Sequence, residues 1–390
     1  MDYGKKRLCV LTGTRADWGL LSPVARALSQ SGRIKVDIIA TNMHLMPQYG
    51  DTWREIEADG FDIAARVPVD AEGDDDASKA KIMAQTLAGM ADAFDRLRPD
   101  AVLILGDRYE MLAAASAAAV MHLPIIHIAG GEITEGALDD SFRHAITKLS
   151  SLHLTATEDY RRRVIQLGEQ PDMVVNTGAI GVWNAMNTPL MTAAELSESI
   201  GFDVTEGPLA VVTYHPATND SVSPRERLED FLAALDRHQA LKLVVTAPNN
   251  DAGGAGLLTL LEEFAAARRD RVCFVRSLGM VRYHSLLRCA NLVIGNSSSG
   301  IVEVPSAGIP TVDVGIRQRG RIASRSVIHC DEGRDSIDAA ISKALSEEMQ
   351  TLAKRCENPY YKADTCQIMM SEIENFMGLP KAPKQFHDII

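Results

Sequence analysis

The chain has 390 residues, of which 46% are hydrophobic and 24% charged, and its formal net charge is −12 at pH 7. This length favours two domains, and the acidic balance argues against general binding to nucleic acids or anionic membranes. The six cysteines are scattered and form no CxxC pair, so they read as reduced thiols in a cytoplasmic protein. No membrane span is expected, because the most apolar stretch, residues 111–129, is interrupted by His122, Pro124 and His127.

Apolar runs that suit buried parallel strands alternate with segments of helical spacing throughout the first half. The strand-like runs cover residues 7–12, 34–40, 61–69, 101–105, 124–128 and 152–155. The helix-like segments cover residues 17–29, 52–59, 78–97, 110–121, 139–150 and 157–167, and residues 43–49 read as a loop. This alternation predicts a doubly wound parallel sheet, the Rossmann-like arrangement.

A second alternating set follows a linker-like stretch at residues 184–189. Its strands are expected at residues 209–214, 242–247, 272–275, 292–295 and 311–314, and its helices at 224–237, 256–268, 281–289 and 301–307. The sequence thus predicts an α/β chain with Rossmann-like domains at residues 1–181 and 182–363 and a cleft between them. A C-terminal helix within residues 364–390 is expected to cross back to the first domain.

Charged side chains concentrate after two predicted neighbouring strands of the first half. They are Asp107, Arg108 and Glu110 after one strand, and Glu132, Glu135, Asp139, Asp140, Arg143, His144 and Lys148 after the next. Open α/β sheets bind ligands at the carboxyl ends of their strands, so these groups could supply acids, bases and anion-binding groups to one site. The alternative is a surface loop with ordinary charges at a helix start.

The sequence Asn296-Ser-Ser-Ser-Gly300 is the best anion-binding candidate in the second half. Small residues let the backbone approach a ligand, and the hydroxyls of Ser297, Ser298 and Ser299 can donate hydrogen bonds. Glu303 would lie about one and a half turns into the following helix and could accept from both ribose hydroxyls. The alternatives are a plain helix cap and an exposed helix carboxylate.

Further cationic groups stand at predicted strand ends. A diphosphate could be bound by Arg317, Arg319 and Arg321, and also by Arg15 after the first strand. The alternative is that these arginines lie in solvated basic loops. His215 could bind phosphate or act as an acid, although a lone histidine is more often structural. No GxxxxGK[ST], GxGxxG or GxSxG motif is present, and no cluster has metal-ligand spacing.

With these residues assembled, the chain resembles the UDP-N-acetylglucosamine 2-epimerases, and most closely their hydrolysing branch, which releases N-acetylmannosamine for sialic-acid-type sugars. The matching motifs run in order over nearly the whole chain: GTRADWG, GDRYE, HIAGGE, DDSFRHAITK, HPAT, PNNDAG, GNSSSGIVEVPSAGIP and GIRQRGR. The resemblance implies a glycosyltransferase-B type fold, UDP bound mainly by the second domain, and a homodimer. It also implies a UDP-sugar as the small-molecule substrate and a reaction that needs neither a metal nor a cofactor.

Carried over by position, the resemblance assigns two groups of site residues. Those that would contact the nucleotide or its phosphates are Arg15, Arg108, His215, Asn249, Ser297, Ser298, Glu303 and Arg317. Asp107 and Asp139 match catalytic carboxylates of the family. Many relatives carry a catalytic glutamate at the position of Ala129, and the replacements we expect are Glu132 and Glu135.

Two other functions fit the same residues. A glycosyltransferase of this fold would release UDP only when an acceptor is present, and a nucleotide-sugar sensor without activity would bind the UDP-sugar without turnover. The sugar itself is open, because UDP-N,N′-diacetylbacillosamine, used for legionaminic-acid-type sugars, differs from UDP-N-acetylglucosamine only at C4 and C6.

Overall fold

The computed structural model describes residues 5–70, 75–135, 138–215, 223–247, 254–380 and 382–389. The chain divides into two compact units. Unit 1 comprises Met1–Asn184 and Tyr361–Ile390, and unit 2 comprises Ala185–Tyr360. The sequence had placed the boundary near residue 182. Within the described ranges, each helix is too short or too polar to span a lipid bilayer.

Unit 1 contains a parallel sheet whose described strands lie in the order β3-β2-β1-β4-β5-β6-β7. The strands are β1 (Lys6–Thr12), β2 (Ile34–Thr41), β3 (Ile63–Val67), β4 (Ala101–Leu105), β5 (Ile125–Ile128), β6 (Leu152–Thr155) and β7 (Val174–Asn176). The helices are α1 (Arg15–Ser31), α2 (Trp53–Ala58), α3 (Asp76–Leu97), α4 (Tyr109–Val120), α5 (Leu138–Leu149) and α6 (Glu158–Gln166), followed by α7 (Ile180–Asn187) at the division between the units.

Unit 2 contains a second parallel sheet, in the order β10-β9-β8-β11-β12-β13. Its strands are β8 (Leu209–Thr213), β9 (Lys242–Thr246), β10 (Val272–Val275), β11 (Leu292–Gly295), β12 (Thr311–Val314) and β13 (Val327–Cys330). Its helices are α8 (Ala193–Ile200), α9 (Pro224–Asp236), α10 (Gly254–Ala266), α11 (Gly279–Cys289), α12 (Ser298–Val302), α13 (Val304–Ala307), α14 (Arg334–Ala344) and α15 (Glu347–Ala353). The last helix of the chain, α16 (Thr365–Gly378), belongs to unit 1.

Both faces of the unit 1 sheet are covered, which explains why its strands read as continuous apolar runs. Successive strand residues point to opposite faces. Leu8 and Val10 pack in a core with side chains of α1 and α16, whereas Cys9 and Leu11 pack in another with side chains of α3 and α4. The two parallel sheets confirm the predicted α/β fold class.

Several local expectations were wrong. Residues 42–45 and 47–49, expected in a loop, form short 3-10 helices, and the linker-like stretch is helical as far as Asn187. The helix expected over residues 301–307 is broken into α12 and α13 at Glu303, two residues before Pro305. Proline has no N–H to donate to the preceding turn, so a continuous helix is interrupted there.

Candidate active site

Arg143 organises the charged groups at the carboxyl ends of β4 and β5. It is 1% exposed, and its Nη2 donates to Asp107 Oδ2 and to Thr134 Oγ1, the latter at 3.1 Å. Its Nη1 donates to the Glu132 carbonyl at 3.0 Å and to Asp140 Oδ1 at 3.1 Å. One buried guanidinium therefore ties the β4 loop to the β5 loop and to the first turn of α5, and it fixes where Asp107 lies.

The two neighbouring aspartates of α5 have different roles. Asp140 is structural, because its Oδ1 accepts from the Thr134 backbone N–H at 2.7 Å as well as from Arg143. Asp139 is exposed, yet the protein around its carboxyl group raises its pKa, and the negative charge of Asp107 raises it further. A carboxyl group that protonates more readily, beside a second carboxylate, is suited to exchange protons.

Arg108 lies among buried acids on the same side of the sheet. Its Nε donates to Glu110 Oε1 at 2.5 Å, and Glu110 is fully buried. Burial opposes the charged form of Arg108, but Glu110 and Asp17 outweigh it and raise the pKa of the guanidinium. Burial raises the pKa of Asp17 to about 6, although the charge of Arg108 works in the other direction. A Cβ at Gly13 would lie only 2.9 Å from Glu110 Oε1, so a larger residue there would force the Glu110 carboxylate to shift.

The candidates for the missing glutamate are placed differently. Ala129 has φ of +69°, so a larger side chain there would be strained. Glu132 is half-buried and its backbone is held by Arg143, whereas Glu135 is exposed. Arg15, the first residue of α1, is also exposed, with its Nη1 4.0 Å from Glu55 Oε1.

In unit 2, Asn296 joins the ends of two neighbouring strands. Its Oδ1 accepts from the His215 N–H at 2.7 Å, and its Nδ2 donates to the His215 carbonyl at 2.9 Å. Gly295 has φ of +145°, and a Cβ there would meet the Thr213 carbonyl oxygen at 1.9 Å. Asn296 thus holds the turn after β11 in place, and Gly295 allows the backbone of this turn to approach that of Thr213 closely.

Glu303 lies between α12 and α13. Its carboxylate faces back towards residues 296–300, which we call the serine turn. Its Oε2 accepts from Ser299 Oγ at 2.9 Å and lies 3.5 Å from His284 Nε2. Ser299 Oγ also contacts the Tyr283 hydroxyl at 2.8 Å. Ser297 is half-buried and Ser298 exposed, so both hydroxyls remain near the surface beside this carboxylate.

His215 is 5% exposed, and burial together with the charge of Arg317 lowers its pKa to about 3. At neutral pH the imidazole is therefore uncharged and can donate one hydrogen bond. Arg317 is half-buried beside it. Asn249 lies outside the described residues. The structure thus brings His215 and Arg317 together, and separately brings Asp107, Arg108 and Asp139 together.

A family model described as UDP-N-acetylglucosamine 2-epimerase matches residues 26–374. The chain belongs to that family. It is 35% identical over 346 residues, 89% of either chain, to the GDP/UDP-N,N′-diacetylbacillosamine 2-epimerase (hydrolyzing) of Campylobacter jejuni. It is 33% identical over 386 residues, 98% of either chain, to polysialic acid biosynthesis protein P7 of Escherichia coli. The chain is thus an enzyme of the UDP-N-acetylhexosamine 2-epimerase type, as the motifs had indicated.

Solved structures of UDP-GlcNAc 2-epimerases have the same fold as this chain. The crystal structure of the UDP-GlcNAc 2-epimerase from Neisseria meningitidis bound to UDP-GlcNAc superposes with a TM-score of 0.79 at 17% identity. The match covers 95% of this chain and 100% of that one. This confirms the predicted glycosyltransferase-B type fold.

Sequence reasoning assigned no role to two residues that shape the unit 1 site. Arg143 was noted only as one of several basic groups, because its partner Asp107 is 36 positions away in the sequence. Asp17 was read as part of a helix start, and its N–H does donate the usual capping hydrogen bond to Thr14 Oγ1 at 3.2 Å. Only the fold reveals that Arg108 and Glu110 surround it.

Proposed function

We propose that the chain hydrolyses a UDP-N-acetylhexosamine with inversion at C2, and that UDP-N-acetylglucosamine is converted to UDP and N-acetylmannosamine. The observation that carries this proposal is the acid/base set of unit 1. Asp107 is fixed by the buried Arg143, and its charge acts on Asp139, whose pKa is raised. A fixed carboxylate beside a second carboxyl group whose pKa is raised suits a reaction with two proton transfers.

The proposed reaction has two steps. One carboxylate takes the C2 proton while the C1–O bond breaks, and its electron pair leaves with UDP, which gives a glycal. The oxygen of a water molecule then adds to C1 while a second carboxyl group delivers a proton to the opposite face of C2, and the proton that the water loses passes to the carboxylate left by that delivery. We assign these transfers to Asp107 and Asp139. Glu132 would be the third carboxylate, in place of the glutamate that many relatives carry at the position of Ala129.

We assign UDP binding to unit 2. The serine turn offers Ser297 and Ser298 hydroxyls, and Glu303 Oε2 already accepts from one hydroxyl, as it would from a ribose. Arg317 supplies positive charge for the diphosphate, and the neutral His215 supplies a hydrogen bond without adding charge. Arg15, Arg108 and Asn249 remain further proposed contacts of the nucleotide sugar.

No metal is needed in this proposal, since arginines neutralise the departing diphosphate. The described residues contain no group of three or more His, Cys, Asp or Glu side chains that could hold a metal ion. EDTA is expected to leave the rate of UDP release unchanged. Loss of activity with EDTA that is restored by magnesium would contradict this part of the proposal.

A second substrate is favoured by one specific observation. The Campylobacter jejuni relative is named for activity on N,N′-diacetylbacillosamine linked to a nucleotide. We therefore propose UDP-N,N′-diacetylbacillosamine as the alternative substrate. Neither candidate differs at the reacting C1 and C2 positions, so the chemistry assigned to unit 1 is the same for both.

The decisive experiment incubates the enzyme with each UDP-sugar alone and follows UDP and the free sugar. Equal release of UDP and a C2-inverted free sugar is expected for one of the two, without an acceptor. Release of UDP only after addition of an acceptor would identify a glycosyltransferase instead. Binding by calorimetry with no release from either sugar would identify a nucleotide-sugar sensor.

Two further expectations concern the molecule's state. All six cysteines are free thiols, and we propose the cytoplasm as its compartment. We also propose a homodimer, to be tested by light scattering after size-exclusion chromatography. A molar mass near 42.4 kDa, that of one chain, would contradict it.

A further inference from the structure

The helix that carries much of the unit 1 site is held at its far end by the C-terminal segment of the chain. Helix α5 bears Asp139 and Asp140 in its first turn and Arg143 in its second. The carbonyl groups of its last turn have no partners within the helix, as at every helix C-terminus. Ser150 Oγ satisfies one of them by donating to the Ile146 carbonyl at 2.7 Å.

Lys384 satisfies others from a distant part of the chain. Its Nζ donates to the Lys148 carbonyl at 2.6 Å and to the Ser150 carbonyl at 2.7 Å, and it lies 3.4 Å from the Thr147 carbonyl. A positive charge at this position also interacts favourably with the helix dipole. One ammonium group thus caps the end of α5 more than 230 residues away in sequence.

The same ammonium group belongs to a charge cluster around a buried glutamate. Glu169 is 2% exposed, and its Oε2 lies 2.7 Å from Lys384 Nζ and 3.0 Å from His153 Nε2. Its Oε1 accepts from Lys148 Nζ of α5 at 2.7 Å. The cluster therefore connects α5, strand β6 and the C-terminal segment.

Lys384 belongs to the C-terminal segment of residues 382–389, which we call the strap. The strap is largely exposed. Besides Lys384, two contacts attach it to unit 1. The Lys148 ammonium lies 4.9 Å from the centroid of the Phe386 ring, which also covers Gly168, and the His387 N–H donates to the Gly168 carbonyl at 2.9 Å. Lys384 makes the strap's described hydrogen bonds to α5 itself.

We propose that Lys384 is a positioning residue, which fixes α5 so that Arg143 can hold Asp107 in place for the reaction. A rigid helix transmits a shift at one end to the other, and Arg143 lies barely more than one turn before Thr147. Removal of Lys384 takes this donor away from the carbonyls of Thr147, Lys148 and Ser150, and it lets the helix move along its axis. Glu169 keeps Lys148 and His153 as partners, so the loss does not leave an isolated buried charge.

The test compares Lys384→Met, Lys384→Arg and, as a matched control, Lys81→Met on the exposed face of α3 in the same unit. For each variant, kcat, KM and UDP affinity are measured. The kinetic part of this test rests on the proposed function. We expect Lys384→Met to lower kcat about tenfold, because small displacements of catalytic groups have large effects on rate. KM and UDP affinity should change by less than about twofold, Lys384→Arg should restore most of the rate, and Lys81→Met should match the wild type.

Hydrogen exchange provides a readout that does not depend on activity. In Lys384→Met, amide exchange should become faster along α5, from residues 146–150 back to 138–143, and in the loop of Asp107. Phe386→Ala should give the same pattern at smaller amplitude, and it leaves the Lys384 ammonium intact. A lower melting temperature with unchanged kcat, or faster exchange confined to residues 146–150, would overturn the proposal. If the wild type turns over neither UDP-sugar, the proposed function fails, whereas the exchange pattern still decides the role of Lys384.

Discussion

The carboxyl ends of the two sheets are built from different chemistry. In unit 1, the buried Arg143 pairs with Asp107 and Asp140, and the partly exposed Arg108 pairs with the buried Glu110. In unit 2, the serine turn is held by neutral hydrogen bonds, notably those between Asn296 and the His215 backbone. We infer that the first arrangement sets the protonation of the acids, and that the second offers hydrogen-bond donors to an anion.

The effect on ionisation shows the same contrast. In unit 1 the pKa values of Asp17 and Asp139 are raised, so acids there protonate more readily. In unit 2 the pKa of His215 is lowered to about 3, so a potential acid is kept neutral and fixed. We infer a division of labour in which unit 1 carries out proton transfer and unit 2 holds the nucleotide.

The largest expected effect is on the rate when the unit 1 acids are altered. Asp107→Asn and Asp139→Asn should each lower UDP release by about 1,000-fold, because an amide cannot exchange the proton. UDP affinity, measured by calorimetry, should stay within about twofold of wild type. Near-normal activity of Asp139→Asn would show that this residue, which lies in the first turn of α5, has no part in proton transfer.

Variants of the two glutamates in the loop should show which of them is the third carboxylate. Glu132→Gln is expected to lower the rate of UDP release by about 100-fold, since one proton transfer loses its group. Glu135→Gln is the matched control, and it should be nearly as active as wild type because Glu135 is exposed. The reverse result would place the base at Glu135, and two active variants would mean that two carboxylates suffice.

Unit 2 should show the opposite pattern, with affinity lost before rate. Glu303→Ala is expected to weaken UDP binding by about 1–3 kcal/mol, the range for a lost charge-assisted hydrogen bond. Arg317→Ala should also weaken it, and Glu348→Ala, an exposed carboxylate of the same unit, serves as the control. Calorimetry that gives wild-type UDP affinity for both Glu303→Ala and Arg317→Ala would remove these residues from the nucleotide site.

The smallest expected effect is a dependence of stability on pH that Asp17 causes. Its pKa is raised to about 6 in the folded chain, above the value near 3.9 of an unfolded aspartate, so the folded state holds the extra proton between these values. The free energy of unfolding should therefore fall as pH rises from about 4 to about 6. Urea unfolding of Asp17→Asn should lack this contribution, whereas Asp92→Asn, at an exposed position, should keep it. An identical pH dependence in wild type and Asp17→Asn would contradict the burial of this carboxyl group.

The sequence predicted the alternating sheets because apolar strands and amphipathic helices have distinct periods. It missed β13, whose four residues include His329 and Cys330, and helices α8, α14 and α15, which lie outside the strongest apolar pattern. Pro305, which has no N–H to donate to the preceding turn, is the sequence signal for the break at Glu303.

The candidate site shows the same limit of sequence reasoning. Asp107 and Asp139 were named because they match catalytic carboxylates of the family, and Glu303 was named because a carboxylate in the helix after residues 296–300 suits a ribose. The contacts that give them distinct roles, from Arg143 to Asp107 and from Ser299 to Glu303, depend on the packing of separate segments and the geometry of a broken helix. Lys384 carried no signal at all, since its partners lie more than 210 positions earlier.

The measurement that tests the central claim most directly is isotope incorporation during turnover in heavy water. If carboxyl groups of unit 1 remove and return the C2 proton, the released sugar should carry solvent deuterium at C2, and Asp107→Asn should abolish that incorporation while it still binds UDP. Release of a C2-inverted sugar that retains its original hydrogen at C2 would contradict the account, because no proton would then have passed through these carboxyl groups.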